Sequence, residues 1–294
     1  MLISTIGQGL IWGILGLGIF MTYRLLNFPD MTVEGSYPLG GAVCVMGITQ
    51  GMSPVVATLL GVGIGMLAGL TTGLLYTKGN IPIILAGILV MSASNSVILF
   101  VMKSPSLSLL KQKKIHDLFQ NLNLPDYFDT VLIGVISVSL IIILLLFFLK
   151  TQLGQAYIAT GDNEQMARSF GINTDKMKII GLTLSNGMVA LSGALLAQND
   201  GYASVDKGIG IIVIGLASII IGEVIFGELQ LSERLLAIVV GSILYQLLIL
   251  LVIKLGFNTN YLKLISAVVL ASCLMLPTLK INLNHKVMKR SEER

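Results

Sequence analysis

Charge is scarce in this sequence. Only 12% of its 294 residues are Asp, Glu, Lys or Arg, about half the roughly 25% of a soluble domain. That leaves too little polar surface to cover a water-soluble globule of this length. Cysteine and histidine are scarcer still, two of each. Cys44 and Cys273 fall inside apolar segments, where small buried thiols are expected, and His116 and His285 read as solvated. Such a set builds no disulfide framework and no four-ligand metal site. There is no Gly-Lys pair, so the phosphate-cradling G-x-x-x-x-G-K-[ST] loop is excluded. H-E-x-x-H, C-x-x-C and G-x-S-x-G are missing too. No catalytic residue, metal or cofactor is therefore expected in this chain. The modest excess of 19 basic over 15 acidic residues is spread between and after apolar runs. No basic stripe points to nucleic acid.

What the sequence has in quantity is apolar length. Hydrophobic residues make up 54%, glycine contributes 32 positions, and mean hydropathy is +0.88. This predicts an all-α polytopic bundle, one transmembrane domain over residues 1–294, embedded in a lipid bilayer. A span needs about 20 mostly apolar residues, and eight segments qualify. They are Ile3 to Tyr23, Val55 to Tyr76, Ile81 to Met102, Val131 to Leu149, Ile179 to Ala197, Gly208 to Phe226, Leu235 to Ile253 and Tyr261 to Thr278. Nothing ahead of the first reads as a removable signal, so Met1 to Tyr23 is expected to be retained. Gly61, Gly65, Gly69 and Gly73 recur every fourth residue, and Gly9, Gly13 and Gly16 mark the first span. Both patterns predict close helix–helix approach.

One stretch resists simple reading. Asn27 to Ser36 reads NFPDMTVEGS, which no regular lipid-facing helix would carry. Irregular backbone at membrane depth survives only where it is buried or lines a cavity. Asn27 to Gly51 is either a loop followed by a short span, Tyr37 to Gly51, or a broken helix beside a pathway; we expect the broken helix, giving eight to ten spans in all. Orientation follows the basic loops. Residues 150–178 and the tail 279–294 are both basic and four spans apart, so both, with the C-terminus, are expected in the cytoplasm. The loop 103–130 then lies outside, although it carries Lys103, Lys111, Lys113 and Lys114 against the rule. Leu107, Leu110, Ile115, Leu118 and Phe119 in that loop suggest an amphipathic surface helix.

The informative polar segment is 151–178, TQLGQAYIATGDNEQMARSFGINTDKMK. It predicts a helix of about two turns, N-capped by Asp162 with Gln165 three residues on. Gly171 is placed to end it in a left-handed conformation. Met166, Ala167 and Phe170 would give it an apolar face, and Glu164 and Arg168 stand i,i+4. Such a helix suits docking into a partner's groove; an ordinary surface helix is the other reading.

Leu153 to Gln198 resembles the coupling region of ABC importer permeases of the branched-chain amino acid and ribose type. The resemblance is carried by GDNEQMARSFGI, a downstream LSGALL, the early LNFPDMTVEGSYPLGGAV and the later GIGIIVIGLASIIIGEVIFG. The branch most similar is linked to tryptophan or related aromatic amino acids. The resemblance implies a dimer around one pathway and an ATPase subunit docked on each copy, with ATP and Mg2+ bound there. It also implies an extracytoplasmic protein that delivers solute. Gly161, Asp162, Asn163, Glu164, Met166, Arg168, Phe170 and Gly171 would be the coupling positions.

Polar groups within spans are costly and often functional. The pathway candidates are Asn27, Asp30, Thr32, Glu34 and Ser36 in the irregular stretch, Ser92, Ser94 and Asn95 in one span, Asn186 in another, and Glu223. Asn95 and Asn186 equally suit interhelical hydrogen bonding, and Glu223 an interfacial carboxylate. An ion-coupled secondary transporter is the alternative function, and a membrane scaffold a third. The first leaves the capped helix without a purpose, and the second leaves the polar groups within the spans unexplained.

Overall fold

The computed structural model describes residues 2–110, 112, 114–117, 128–227 and 229–255, together with 264, 267, 268, 271 and 272. Helix α1 (Leu2–Phe20) is apolar along its length and ends in a π turn, Met21–Leu25. Helix α2 (Val33–Thr49) follows an irregular stretch. Then come α3 (Pro54–Thr77), α4 (Ile83–Met102), strand β1 (Ser106–Ser108) and α5 (Phe128–Lys150). Helices α6 (Gln152–Asp162) and α7 (Glu164–Ser169) precede α8 (Thr174–Asp200). Strand β2 (Tyr202–Ser204), a 3-10 turn (Val205–Gly208), α9 (Ile211–Phe226) and α10 (Leu231–Lys254) complete the order.

Among the described residues seven helices are long and apolar enough to cross a membrane, not eight. They match the first seven segments read from the sequence. Of the eighth, Tyr261 to Thr278, only residues 264, 267, 268, 271 and 272 are described, all of them helical, and the tail lies outside the described residues. Helix α2, with 17 residues, spans only about 25 Å at 1.5 Å per residue.

Helix α8 organises the bundle. Helix α3 packs antiparallel along it through Gly61, Gly65, Gly69 and Gly73, which face Ala194, Ala190, Leu182 and Ile179 in turn. A methyl group on Gly69 would overlap the Leu182 carbonyl. Only a bare backbone allows this approach, as the glycine spacing predicted. Helix α2 lies on another side of α8, with Gly40 against Ala190 and Gly41 against Gly193. Helix α1 packs on α10 through Gly9 and Gly13, and on α5 through Gly7. The end of α1, the start of α8 and helices α6 and α7 share one end of the bundle, the α7 end. The starts of α1 and α5 meet the end of α8 at the other.

The break is shorter than expected. It covers residues 26–32, and α2 runs unbroken from Val33 with Pro38 inside it. Pro29 cannot supply a helical N–H, and Asn27 adopts a φ of 61°. Asp30 then starts α2 by accepting a hydrogen bond from the Thr32 N–H at 2.8 Å. Pro38 also leaves the Glu34 carbonyl without its usual helical donor. The chain before α9 dips to this level, and Gly208 lies directly against the Glu34 carbonyl.

The loop after α4 is no amphipathic helix over Leu107 and Leu110. Residues 106–108 form β1, antiparallel to β2, with Leu107 opposite Ala203. Leu118 and Phe119 lie outside the described residues.

Gly69→Ala is expected to destabilise the protein by roughly 1–3 kcal/mol through overpacking. Gly63→Ala, on the same helix with open space beside it, should cost nothing. Thermal unfolding of both variants in the same detergent checks the difference.

Candidate functional site

At the α7 end, the polar segment folds as two helices rather than one. Thr151 caps α6, accepting from the Gly154 N–H at 3.2 Å. Helix α6 is pinned to the bundle: the buried Tyr157 hydroxyl donates to the Met21 carbonyl at 2.5 Å. Gly161 sits so close to the Leu25 carbonyl that no side chain fits. Asp162 is the last residue of α6 and does not cap α7. The cap is Asn163, in extended backbone, accepting from the Met166 N–H at 3.0 Å. The capping signal is displaced by one residue because α6 runs through Asp162. Gly171 ends α7 as expected, with φ of 81° and the Ile172 N–H donating to the Ala167 carbonyl at 3.1 Å.

The predicted apolar face is split. Ala167 is buried against the bundle, while Met166 is 50% and Phe170 75% exposed. Two large apolar side chains therefore project from a short polar helix. The opposite side of α7 is clamped to α8. Arg168 donates to Glu164 at 2.9 Å, to Asp175 at 3.0 Å and to the Thr174 hydroxyl at 2.8 Å. Glu164 also accepts from Lys178 at 2.7 Å. That hydrogen bond is the main cause that holds the Glu164 carboxyl below its ordinary value of 4.5. Partial burial opposes it, and the charges of Lys178 and Arg168 assist. Only the Glu164–Arg168 pair had been legible; Lys178, Thr174 and Asp175 follow no helical spacing from Glu164.

The pathway candidates separate into three environments. Asp30, Thr32, Ser36 and Asn186 are buried and bond to one another. The Asn186 amide donates to Asp30 at 2.7 Å and the Ser36 hydroxyl to Asn186 at 2.6 Å. Thr32 meets Thr72 of α3 at 2.8 Å, a partner the sequence reading missed. This network joins α2, α3 and α8. Glu223 is paired with Arg24 of the π turn at the α7 end, and Asn27 is exposed near the same end. Glu34 is half-buried and caps the re-entrant start of α9, accepting from the Gly210 N–H at 3.0 Å.

The third environment is the outer face of α3 and α4. An open apolar groove of about 730 Å³ runs between them, lined by Leu67, Thr71, Leu75, Leu89, Ser94 and Val97 among others. Ser92 is exposed and Asn95 half-buried on α4. An amide and a hydroxyl there would meet no partner in lipid, which is costly.

At the far end, His116 is not solvated. It lines a polar pocket of about 720 Å³ with Asp117, Asp129 and Lys114. Its Nε2 is buried without a hydrogen-bond partner among the described residues, and burial is the main cause that lowers its pKa.

A helical bundle with seven candidate spans and a small polar helix offered from one end is the form of a polytopic membrane protein. The chain matches the family described as branched-chain amino acid transport system, permease component, over residues 1–274, and it belongs to that family of ABC transporter permeases. It is 42% identical to a tyrosine transport system permease protein of Clostridioides difficile, covering 96% of this chain and 93% of that protein. It is 27% identical to the autoinducer 2 import system permease protein LsrC of Photorhabdus laumondii, over 66% of this chain and 57% of that one. Among solved structures it is similar to a chain of PsaBC from Streptococcus pneumoniae in complex with Fab. The TM-score is 0.52 at 16% identity, over 92% of this chain and 88% of that one, a likeness of fold.

Two predictions follow from these contacts. Because the Glu164 pKa is depressed in the folded state, its stabilisation is present above the ordinary carboxylate value and is lost as pH falls through the lower folded value. Amide hydrogen exchange over residues 164–170 should stay protected at mildly acid pH and speed up only below the ordinary glutamate range. In the bundle, Asn186→Leu strips Asp30 and Ser36 of a shared partner and should cost roughly 1–3 kcal/mol. Ser92→Ala should leave the unfolding temperature unchanged.

Proposed function

We propose that the chain is the membrane-spanning subunit of an ATP-driven importer, working as a dimer, with α7 as the docking element for an ATPase subunit. The observation that carries this reading is α7 itself. It offers Met166 and Phe170 outward while three hydrogen bonds, from Arg168 to Thr174 and Asp175 and from Lys178 to Glu164, hold its other side to α8. An exposed apolar pair on a fixed short helix is the form of a knob for a groove. ATP and Mg2+ bind in the partner, since this chain has no phosphate-binding loop.

We assign the α7 end to the cytoplasm. Arg24 and Lys78 there join Lys150, Arg168, Lys176 and Lys178, in the sense of the positive-inside rule. One further crossing after α10, as the sequence suggests, would bring the basic tail to the same side. We assign the pathway to the outer face of α3 and α4, where Ser92, Asn95 and the groove would meet a second copy rather than lipid. The solute is an aromatic amino acid such as tyrosine, delivered by an extracytoplasmic binding protein. The similarity to the tyrosine permease supports this choice. So does a groove that pairs apolar walls with the Thr71 and Ser94 hydroxyls.

Gentle detergent extraction from the native host should bring down a stoichiometric P-loop ATPase with this chain; its absence would overturn the reading. Phe170→Asp should leave membrane insertion intact and lower ATP-dependent uptake of labelled tyrosine at least about tenfold, as should Arg168→Glu. Uptake that follows a proton or sodium gradient instead would favour the ion-coupled alternative.

A further inference from the structure

Any motion that an ATPase imposes on α7 must leave it through what α7 touches. The backbone leads only to α6 and α8. Arg168 reaches Thr174 and Asp175, both in the first turn of α8. Glu164 reaches further, because its partner Lys178 is one turn deeper and only 7% exposed. The Lys178 ammonium also lies 3.3 Å from the Tyr76 hydroxyl and 4.9 Å from the centre of its ring. Tyr76 stands in the last turn of α3, five residues after Thr71 of the groove. Its ring packs on Phe28 in the irregular stretch, with centroids 5.9 Å apart. One ammonium thus meets α7, α8 and α3 and, through Tyr76, the connection to α2.

We propose that Lys178 is a positioning residue that carries the displacement of α7 to the end of α3, and so to the groove between α3 and α4. The proposal rests on the reading of α7 as the ATPase docking element. Its physical basis is the asymmetry of a buried charge. A largely buried ammonium that loses its carboxylate is strongly disfavoured, so Lys178 follows Glu164 when α7 moves. The cation–π contact and the hydroxyl tie Tyr76 to the same ammonium. The stripe of glycines that holds α3 against α8 extends to Gly73, and Tyr76 lies just past it. Past that stripe the last turn of α3 is held through the Tyr76 side chain, so a shift of Lys178 acts on it directly.

The test uses the permease dimer with its co-purifying ATPase in lipid nanodiscs. Cys44 and Cys273 are replaced by serine, and a spin label is placed at Lys78→Cys, an exposed position at the end of α3. The label-to-label distance across the dimer is measured without nucleotide and after trapping with ATP and vanadate. In the otherwise unaltered protein the distance should change on trapping. Lys178→Gln should abolish the change while ATP hydrolysis continues, and labelled tyrosine taken up per ATP should fall roughly tenfold. Lys178→Arg, which can still pair and stack, should keep it. Tyr76→Leu, which leaves the Lys178–Glu164 pair in place, should abolish it as well. A nucleotide-dependent change that persists in both Lys178→Gln and Tyr76→Leu, or no change in the unaltered protein, overturns the relay. Failure of any ATPase to co-purify would instead overturn the docking reading on which it stands.

Discussion

Hydrocarbon offers no partner to a peptide group, and this chain leaves the helix deep in its bundle. The carboxylate of Asp30 meets that constraint. One oxygen takes the Thr32 N–H and the other the Asn186 amide, so a chain that has just rounded Pro29 can begin a new helix beside the middle of α8. Without that anchor α2 would have no fixed starting point, and α3 and α4 would lose the helix they pack around. The second departure is handled in the same way. The dip before α9 lies against the Glu34 carbonyl that Pro38 leaves open, and the Glu34 carboxylate takes the Gly210 N–H. The first irregular segment is completed by its own Asp30 with Asn186 of α8, the second by Glu34 of α2.

Around α8, glycines bring neighbouring helices to near-backbone contact. Gly65 and Gly69 bring α3 onto α8, and Gly40 brings α2 onto it. Contacts of this kind have little room to deform, since close-packed interiors transmit strain rather than absorb it. Flexibility is therefore confined to the ends. Helix α7 has six residues, held by side-chain ion pairs that water reaches on one side. The centre is joined through close backbone approach, whereas α7 is attached through side chains.

Much of this was legible in the sequence, for definite reasons. Apolar length gives spans regardless of tertiary detail, so Val131 to Leu149 needed no structure to be found. The four-residue glycine period predicts a close face because helix geometry alone puts those residues in line. Gly171 ends its helix where its backbone freedom predicted. Local signals failed where tertiary contacts decide. Asp162 and Asn163 are both good caps, and the docking of Gly161 on Leu25 lets α6 run one residue further, which passes the cap to Asn163. Ala167 and Phe170 looked like one face, but the clamp from Lys178 and Arg168 turns Ala167 inward. Leu107 and Leu110 looked like the start of an amphipathic helix running on to Ile115, and the partner strand 202–204 that makes residues 106–108 β lies almost a hundred residues away in sequence. The Asp30–Asn186 contact spans 156 positions, a distance no spacing argument reaches.

The exposure of Phe170 has a further consequence for the life of the chain before assembly. A phenylalanine three-quarters exposed at the end of a helix of six residues, beside a half-exposed methionine, is an apolar patch that an unassembled chain leaves open to non-specific association. Covering it would close that patch. Copies made in excess of their partner would keep it open, so the side chain expected to take up the thrust of the ATPase would also make surplus copies prone to associate.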